Sequence, residues 1–429
     1  MNPNRQSDTQ PASHALYTAR STMGADSRSA RFISGSHFRS VYHTPRHVYV
    51  HVPFCRSRCA YCDFSIHAGR RDPWEERYMK ALKKELMLWQ RAPFFPLPPL
   101  ETLYIGGGTP TELSAERLAD FFSLLRATFG PLDAISEVTI EANPETVTED
   151  LLSYLRTTGV NRLSLGVQTF DDRLLKRLGR IHDAARASDA VHMAARAGFS
   201  RISIDLMFGL PEQTMADVER DLLMATQLPI DHLSYYNLQI EPLTRLGRDV
   251  HRGTVRPADE EEEAEMYERI IEFLAHHEFY QYELSNFAHP GGISQHNLAY
   301  WTGRSYLGLG PSAHGFVSGM RYANIASLPR YVVAGEHANR VEDFYATKRV
   351  LSETEMIEEF LFLGLRLTEG VRRDRFQERF GRSLEDVYGD LLSRLAARSL
   401  LIYDDTGIRL PKDVYFISNE VMQSFLLTV

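Results

Sequence analysis

From residue 47 the chain alternates between two patterns of apolar and polar positions. Short runs rich in β-branched and other apolar residues fall at 47–52, 102–105, 137–141, 162–168, 201–206 and 232–238. Most are separated by longer stretches at 74–89, 115–128, 183–197 and 214–226, where apolar residues return every three or four positions. The short runs predict buried strands and the long ones amphipathic helices. Strands alternating with helices imply βαβ units and a parallel sheet, and six such units predict an open or partial α/β barrel over residues 47–280. From about residue 347 the pattern changes. Residues 353–365 and 384–395 read as helices, and 400–403 with 408–410 as a hairpin around Asp404-Asp405-Thr406-Gly407. That order predicts a small α+β, winged-helix-like domain over 347–429, read as a lid or docking element.

Residues 1–46 carry no apolar periodicity and hold six Arg, two Asp and no Glu. This composition predicts a disordered arm. An organelle transit peptide is also Arg-rich and poor in acids, so a cytoplasmic and an organellar location both stay open. No apolar core of a secretory signal is present. The 429 residues, 43% hydrophobic and 24% charged, suit two or three domains or one barrel with an appendage. A net charge of −8 argues against nucleic acid as a partner, including for the winged-helix-like module. No apolar run reaches the ~18 residues of a membrane span. The acidic run Asp259 to Glu263 reads as a solvated first helical turn.

In parallel barrels the reacting groups lie on loops after the strand C-termini. Here every predicted strand ends in polar chemistry. The first runs into His51-Val-Pro-Phe-Cys55, the second into Gly106-Gly107-Gly108-Thr109-Pro110, the third ends at Glu141 and the fourth at Gln168. Asp205 lies near the end of the fifth, and the sixth runs on to Gln239 and Glu241.

The strongest signal is Cys55-x-x-x-Cys59-x-Tyr61-Cys62, which holds all three cysteines of the chain. An odd number of clustered thiols argues for a metal site in a reducing compartment and against a disulfide framework. Zinc would need a fourth ligand, for which His51 and His67 are candidates. An iron–sulfur cluster on three thiolates leaves one iron without a protein ligand. The spacing does not match a Cys-x-x-Cys redox pair. The glycine run lacks the Lys-Ser/Thr of a P-loop, no Gly-x-Ser-x-Gly elbow is present, and His277-Glu278-Phe-Tyr-Gln281 lacks the second His of a zincin.

The cysteine motif resembles the signature of the radical S-adenosylmethionine (SAM) superfamily. Tyr49-Val-His-Val-Pro-Phe-Cys55, Gly106–Pro110, Glu141-Ala-Asn-Pro144, Gly166-Val-Gln-Thr-Phe170, Leu178-Gly-Arg-Ile-His182 and Asp205-Leu-Met-Phe-Gly-Leu-Pro211 resemble the oxygen-independent coproporphyrinogen dehydrogenase family. The resemblance implies a partial (β/α)6, TIM-like radical SAM barrel and a family-type extension over 281–346. It implies a [4Fe–4S] cluster on Cys55, Cys59 and Cys62, whose vacant iron takes SAM and yields a 5′-deoxyadenosyl radical on reduction. The dehydrogenase branch carries a fourth cysteine two residues past the third, where this chain has Phe64. Phe64 and His296-Asn297-Leu298-Ala299-Tyr300 are similar instead to the HemW-like branch of haem chaperones. That branch implies haem as cargo, haem-receiving proteins as partners, membrane-bound ones included, and an electron donor.

By the same resemblance Tyr49, Tyr61, Gly107, Gly108, Thr109, Glu141, Gln168, Arg180 and Asp205 are expected around SAM. Glu141 and Asp205 suit ribose hydroxyls or the methionyl ammonium as acceptors, and Arg180 suits a carboxylate as donor. His296 and Tyr300 are expected at the haem, with the imidazole as a candidate axial ligand. His314 is a second candidate. The competing function is the dehydrogenase itself, an oxidative decarboxylase of coproporphyrinogen III.

Overall fold

The computed structural model describes residues 44–69 and 73–426. The expected arm at 1–46 therefore lies almost wholly outside the described residues. One mixed sheet of twelve strands organises the chain. In chain order these are β1 His47–Val52, β2 Thr102–Gly107, β3 Glu137–Ala142, β4 Arg162–Gln168, β5 Arg201–Phe208 and β6 His232–Asn237. Then follow β7 Tyr280–Glu283, β8 Asn286–Ala288, β9 Tyr306–Leu309, β10 His314–Val317, β11 Met320–Asn324 and β12 Tyr345–Val350.

Strands β1 to β6 pair in sequence order and all in parallel, as expected for six βα units. Val48, Val50, Leu103, Ile105, Val138, Ile140, Leu163 and Leu165 are fully buried, because helices cover one face of the sheet and the strands curve around the other. The barrel stays open. On the β6 side the β7–β8 hairpin adds antiparallel strands. On the other side β9 pairs in parallel with β1, and β10 to β12 follow as an antiparallel meander. The strands of residues 281–346 thus extend the barrel sheet at both edges instead of building a separate one.

The C-terminal region packs helices Glu353–Gly364, Arg373–Phe380 and Leu384–Ala397 beside a three-stranded sheet of Val371–Arg372, Gly407–Arg409 and Ile402–Tyr403. It shares one hydrophobic core with the barrel. Polar contacts fix its seat. Arg366 donates to Glu283 at 3.2 Å and stacks over Trp301 at 4.5 Å, and Arg379 donates to the Gly303 carbonyl at 2.9 Å. Among the described residues, no helix is long and apolar enough to cross a membrane.

One buried carboxylate places the helix Gln295–Trp301 against the barrel floor. Glu137, 1% exposed at the start of β3, accepts the backbone N–H of Gln295 and of His296, each at 2.9 Å, and forms an ion pair with Arg201 at 3.3 Å. A carboxylate at a helix N-terminus satisfies orphan donors and complements the helix dipole. Glu137→Ala should leave those donors buried without acceptors and destabilise the protein by about 2–4 kcal/mol in urea unfolding. A variant as stable as the parent would show that the helix is held by apolar packing alone.

Candidate functional site

The loop after β1 carries the three cysteines, and its shape is set by polar contacts more than by a core of its own. Phe54–Cys55 pairs in parallel with His67–Ala68 and closes the loop at its base. Inside it, the Arg58 guanidinium donates to the carbonyls of Cys62, Phe64 and Ile66 at 3.2, 3.1 and 3.2 Å. The backbone of Ala60 donates to Leu178 O at 2.9 Å and accepts from Leu246 N at 2.8 Å, tying the loop to two distant segments.

The glycine run closes over the start of this loop. Gly108 N donates to Val52 O at 2.8 Å and Thr109 N to Phe54 O at 2.7 Å. A Cβ at Gly108 would stand 2.6 Å from the Phe54 carbonyl, and one at Gly107 (φ +113°) would stand 2.5 Å from the His51 ring. The close approach that excludes side chains here is to the protein's own chain, a reason for glycine that the sequence does not display. His51, a candidate fourth zinc ligand, is committed on both ring nitrogens, to Tyr49 Oη at 3.0 Å and Ser65 O at 3.2 Å.

Cys55, Cys59 and Cys62 are unpaired, partly exposed, and line one cavity of about 560 Å³ at the C-terminal ends of the strands. The same cavity is lined by Tyr61, Gly107, Gly108, Thr109, Glu141, Gln168, Arg180 and Asp205. Of the residues expected around SAM, only Tyr49 falls outside its wall; it lines a neighbouring cavity instead. Gln168 takes a positive φ of 74° beside a break in the β4–β5 register. Such strain in a side-chain-bearing residue is tolerated where the surroundings over-determine it, commonly at functional sites.

A continuous hydrogen-bonded path joins two of the cysteines across this cavity. Thr109 Oγ1 lies 3.6 Å from Cys55 Sγ and accepts from Asn143 Nδ2 at 2.8 Å. Asn143 Oδ1 accepts from Arg180 at 2.7 Å, and Arg180 reaches Cys59 Sγ at 3.5 Å and the Gly166 carbonyl at 2.7 Å. Asn143 is a site residue missed in the sequence, where Asn-Pro after a strand reads as a turn.

Burial dominates the electrostatics. It pushes the Cys55 thiol up to about 12, against the Thr109 hydrogen bond, and raises Cys62 as well. It also raises Glu141 to about 7 although Tyr104 Oη and Gly107 N donate to the carboxylate at 2.8 and 2.9 Å, and it raises Asp205. The cavity therefore holds thiols and carboxyls that gain from a cationic ligand. Its fit to the implied groups rests on two further observations. Buried Arg162 Nε and Arg180 Nε have no hydrogen-bond acceptor among the described residues, which suits an anionic or polar ligand beside them. Among the described residues no three His, Cys, Asp or Glu side chains gather as a single ion requires. Zinc would draw thiolates to roughly 3.8 Å of one another by its ~2.3 Å bonds, whereas a cubane spreads one thiolate to each of three irons. The donor set suits a [4Fe–4S] cluster and SAM.

His296 is 1% exposed and fully engaged. Its Nδ1 pairs with Thr102 Oγ1 at 2.6 Å and its Nε2 with Tyr300 Oη at 2.8 Å. Burial holds the imidazole well below the ordinary histidine range, hence neutral. Neither nitrogen faces an open space that could hold iron, so the axial role expected of it does not match this arrangement. Tyr300, by contrast, lines the cavity that Tyr49 borders.

The fold and the three-cysteine loop define a radical SAM protein. A Radical SAM superfamily model matches residues 49–225 and a HemN C-terminal domain model matches residues 351–413. A haem chaperone HemW of Bacillus subtilis is 39% identical over 88% of this chain and 98% of its own length, and one of Escherichia coli 35% over 83% and 92%. A mitochondrial radical SAM domain-containing protein 1 of Bos taurus is 34% identical over 88% and 87%. Among solved structures, the coproporphyrinogen III oxidase HemN of Escherichia coli superposes with a TM-score of 0.79 over 91% of this chain and 92% of its own, at 24% identity. The chain belongs to the HemW family.

Two outcomes follow from this site. Removing Asn143 breaks the path between Cys55 and Cys59, so Asn143→Ala, once reconstituted with iron and sulfide, should lose its brown absorbance to a chelator several-fold faster than the parent. Equal rates would show that the path does not hold the loop. A raised carboxyl binds a proton in the folded state that the unfolded chain releases. The stability linked to Glu141 is thus fully present below about 4.5 and lost as the pH rises through about 7, on the order of 2–3 kcal/mol. Thermal melts of ligand-free protein should fall across that window, and less steeply in Glu141→Gln. An unchanged slope would place the proton elsewhere.

Proposed function

We propose that this protein is a haem chaperone of the radical SAM type, which binds haem and delivers it to recipient proteins. Cys55, Cys59 and Cys62 hold a [4Fe–4S] cluster, and Gly107, Gly108, Thr109, Glu141, Gln168, Arg180 and Asp205 surround SAM, with Tyr61 against it. When bound, the cluster supplies one iron free of protein ligands and an electron for the sulfonium. The chain's own part is to bind and orient. Arg180 offers a fixed cation to a carboxylate while steadying Cys59, and Glu141 and Asp205 offer acceptors to an ammonium or to hydroxyls. Haem-receiving proteins, membrane-bound ones among them, and an electron donor are the partners.

The observation that carries the reading is Phe64. At the position where the dehydrogenase branch has a fourth cysteine, an apolar ring stands 62% exposed and borders both the cluster cavity and the one next to it. The names of the Bacillus subtilis and Escherichia coli relatives support the same function. The second reading, coproporphyrinogen III dehydrogenase, has the HemN fold in its favour. Anaerobically reconstituted protein should take up haem to saturation in an absorbance titration. Given coproporphyrinogen III, SAM and a reductant, it should form no protoporphyrinogen IX. Turnover of the porphyrinogen without haem uptake would reverse the assignment.

A further inference from the structure

Helix Met215–Gln227 carries a buried carboxyl group that is not among the residues of the cluster cavity wall. Asp221 is fully buried, and its Oδ1 accepts the Phe170 N–H at 2.6 Å and the Thr169 hydroxyl at 3.1 Å. Those two residues follow Gln168 directly. We propose that Asp221 is a positioning residue that holds Gln168 in its strained conformation against SAM; the proposal rests on the reading of this cavity as a SAM site.

Gln168 ends β4 with φ +74°, where the pairing of β4 with β5 slips by one residue. A side-chain-bearing residue keeps such a backbone only where its surroundings impose it. Here side chains grip the chain on both sides. Before Gln168, Arg180 donates to the Gly166 carbonyl at 2.7 Å and the His182 ring meets the Val167 carbonyl at 3.1 Å. After it, Asp221 takes Thr169 Oγ1 and Phe170 N, and Thr169 Oγ1 in turn accepts from Asp171 N at 3.1 Å. Asp221 is thus the anchor on the C-terminal side of the strained residue.

The strained backbone sets where the side chain goes. A Cβ on Gly166 would stand 3.0 Å from Gln168 Nε2, 3.0 Å from Asn143 Oδ1 and 3.5 Å from an Arg180 nitrogen. The Gln168 amide therefore lies over Gly166, beside the path that joins Cys55 to Cys59 and inside the cavity. An ordinary extended φ would swing the amide off that point. The cavity would then lose a group that offers both donors and an acceptor to a ligand.

Asp221 suits this task as an acceptor more than as a charge. Both contacts fall on one oxygen, while Oδ2 is buried with no hydrogen-bond partner among the described residues. Burial raises the carboxyl to about 7 despite the two donors. An amide keeps the accepting oxygen, so Asp221→Asn preserves the anchor that Asp221→Ala removes.

The test is equilibrium dialysis of radiolabelled SAM against full-length, anaerobically reconstituted protein, with iron and sulfide measured on every sample. Asp221→Ala should keep its cluster and bind SAM about five- to tenfold more weakly, the scale of one lost polar contact. Asp221→Asn should bind within about twofold of the parent. Gln168→Ala should lose a factor similar to that of Asp221→Ala, and combining the two should cost nothing more, because both act through one contact. A merely structural role would lower stability and leave SAM affinity unchanged. If Asp221→Ala fails to fold, Thr169→Val, which removes one of the two contacts, takes its place. It should weaken SAM in the parent but not beside Gln168→Ala. The proposal is wrong if SAM affinity survives Asp221→Ala, if the losses from the Asp221 and Gln168 variants multiply, or if Asp221→Asn binds as weakly as Asp221→Ala. Parent protein that takes up a cluster but binds no SAM overturns the SAM-site reading itself, a distinct result.

Discussion

The arrangement depends on a cysteine loop that has little core of its own and must be held open from outside. Three thiols on eight residues would collapse onto one another or onto solvent without that support. The support comes from the loops after two neighbouring strands and from the turn after the helix Asp172–Leu178, through Thr109 on Cys55, Asn143 on Thr109, Arg180 on Asn143 and Arg180 on Cys59. Each contact is ordinary, at about 1 kcal/mol net for a neutral pair and more for a charged one. Their value is geometric, because Thr109 and Asn143 lie within two residues of parallel strands and Arg180 is tied to the Gly166 carbonyl on a third. The pH-sensitive carboxyl at Glu141 belongs to the same construction, since it accepts from Gly107 within the glycine run that seals the loop.

This explains why so much of the site was legible and where legibility stopped. Strands at 47–52 and 162–168 lie where the sequence predicts, because Val48, Val50 and Val52, and Leu163, Leu165 and Val167, recur at every second position and are fully buried. The cysteines and Glu141 sit in short motifs at strand ends, so their grouping needed only the barrel, whereas Arg180 follows the helix Asp172–Leu178. Strand β12, Tyr-Ala-Thr-Lys-Arg-Val, is largely exposed at the sheet edge and gave no such signal. Helix Arg373–Phe380 buries only Phe376, Arg379 and Phe380 and was likewise unmarked. The partners of His296 lie at Thr102 and Glu137, 194 and 159 positions away, so its burial could be seen only once the chain was folded.

Two neighbouring cavities share the exposed Asp63 and Phe64 at their border. On one side stand thiols, carboxyls and a buried cation suited to a cluster and a sulfonium nucleotide. On the other stand aromatic rings, imidazoles and two guanidinium groups. A cysteine in place of Phe64 would offer a further thiol at the border between them. The C-terminal region seats against the extension through Trp301 and Gly303, next to this second cavity.

The central claim is that three thiolates hold a cubane with one corner left for SAM. EPR of the reduced protein, purified without oxygen, tests it most directly. The account predicts an iron–sulfur signal that changes on adding SAM in the parent and is absent when Cys55, Cys59 and Cys62 are replaced together. Oxygen-free protein that contains zinc, with neither iron nor acid-labile sulfide, or a cluster signal indifferent to SAM, would contradict it.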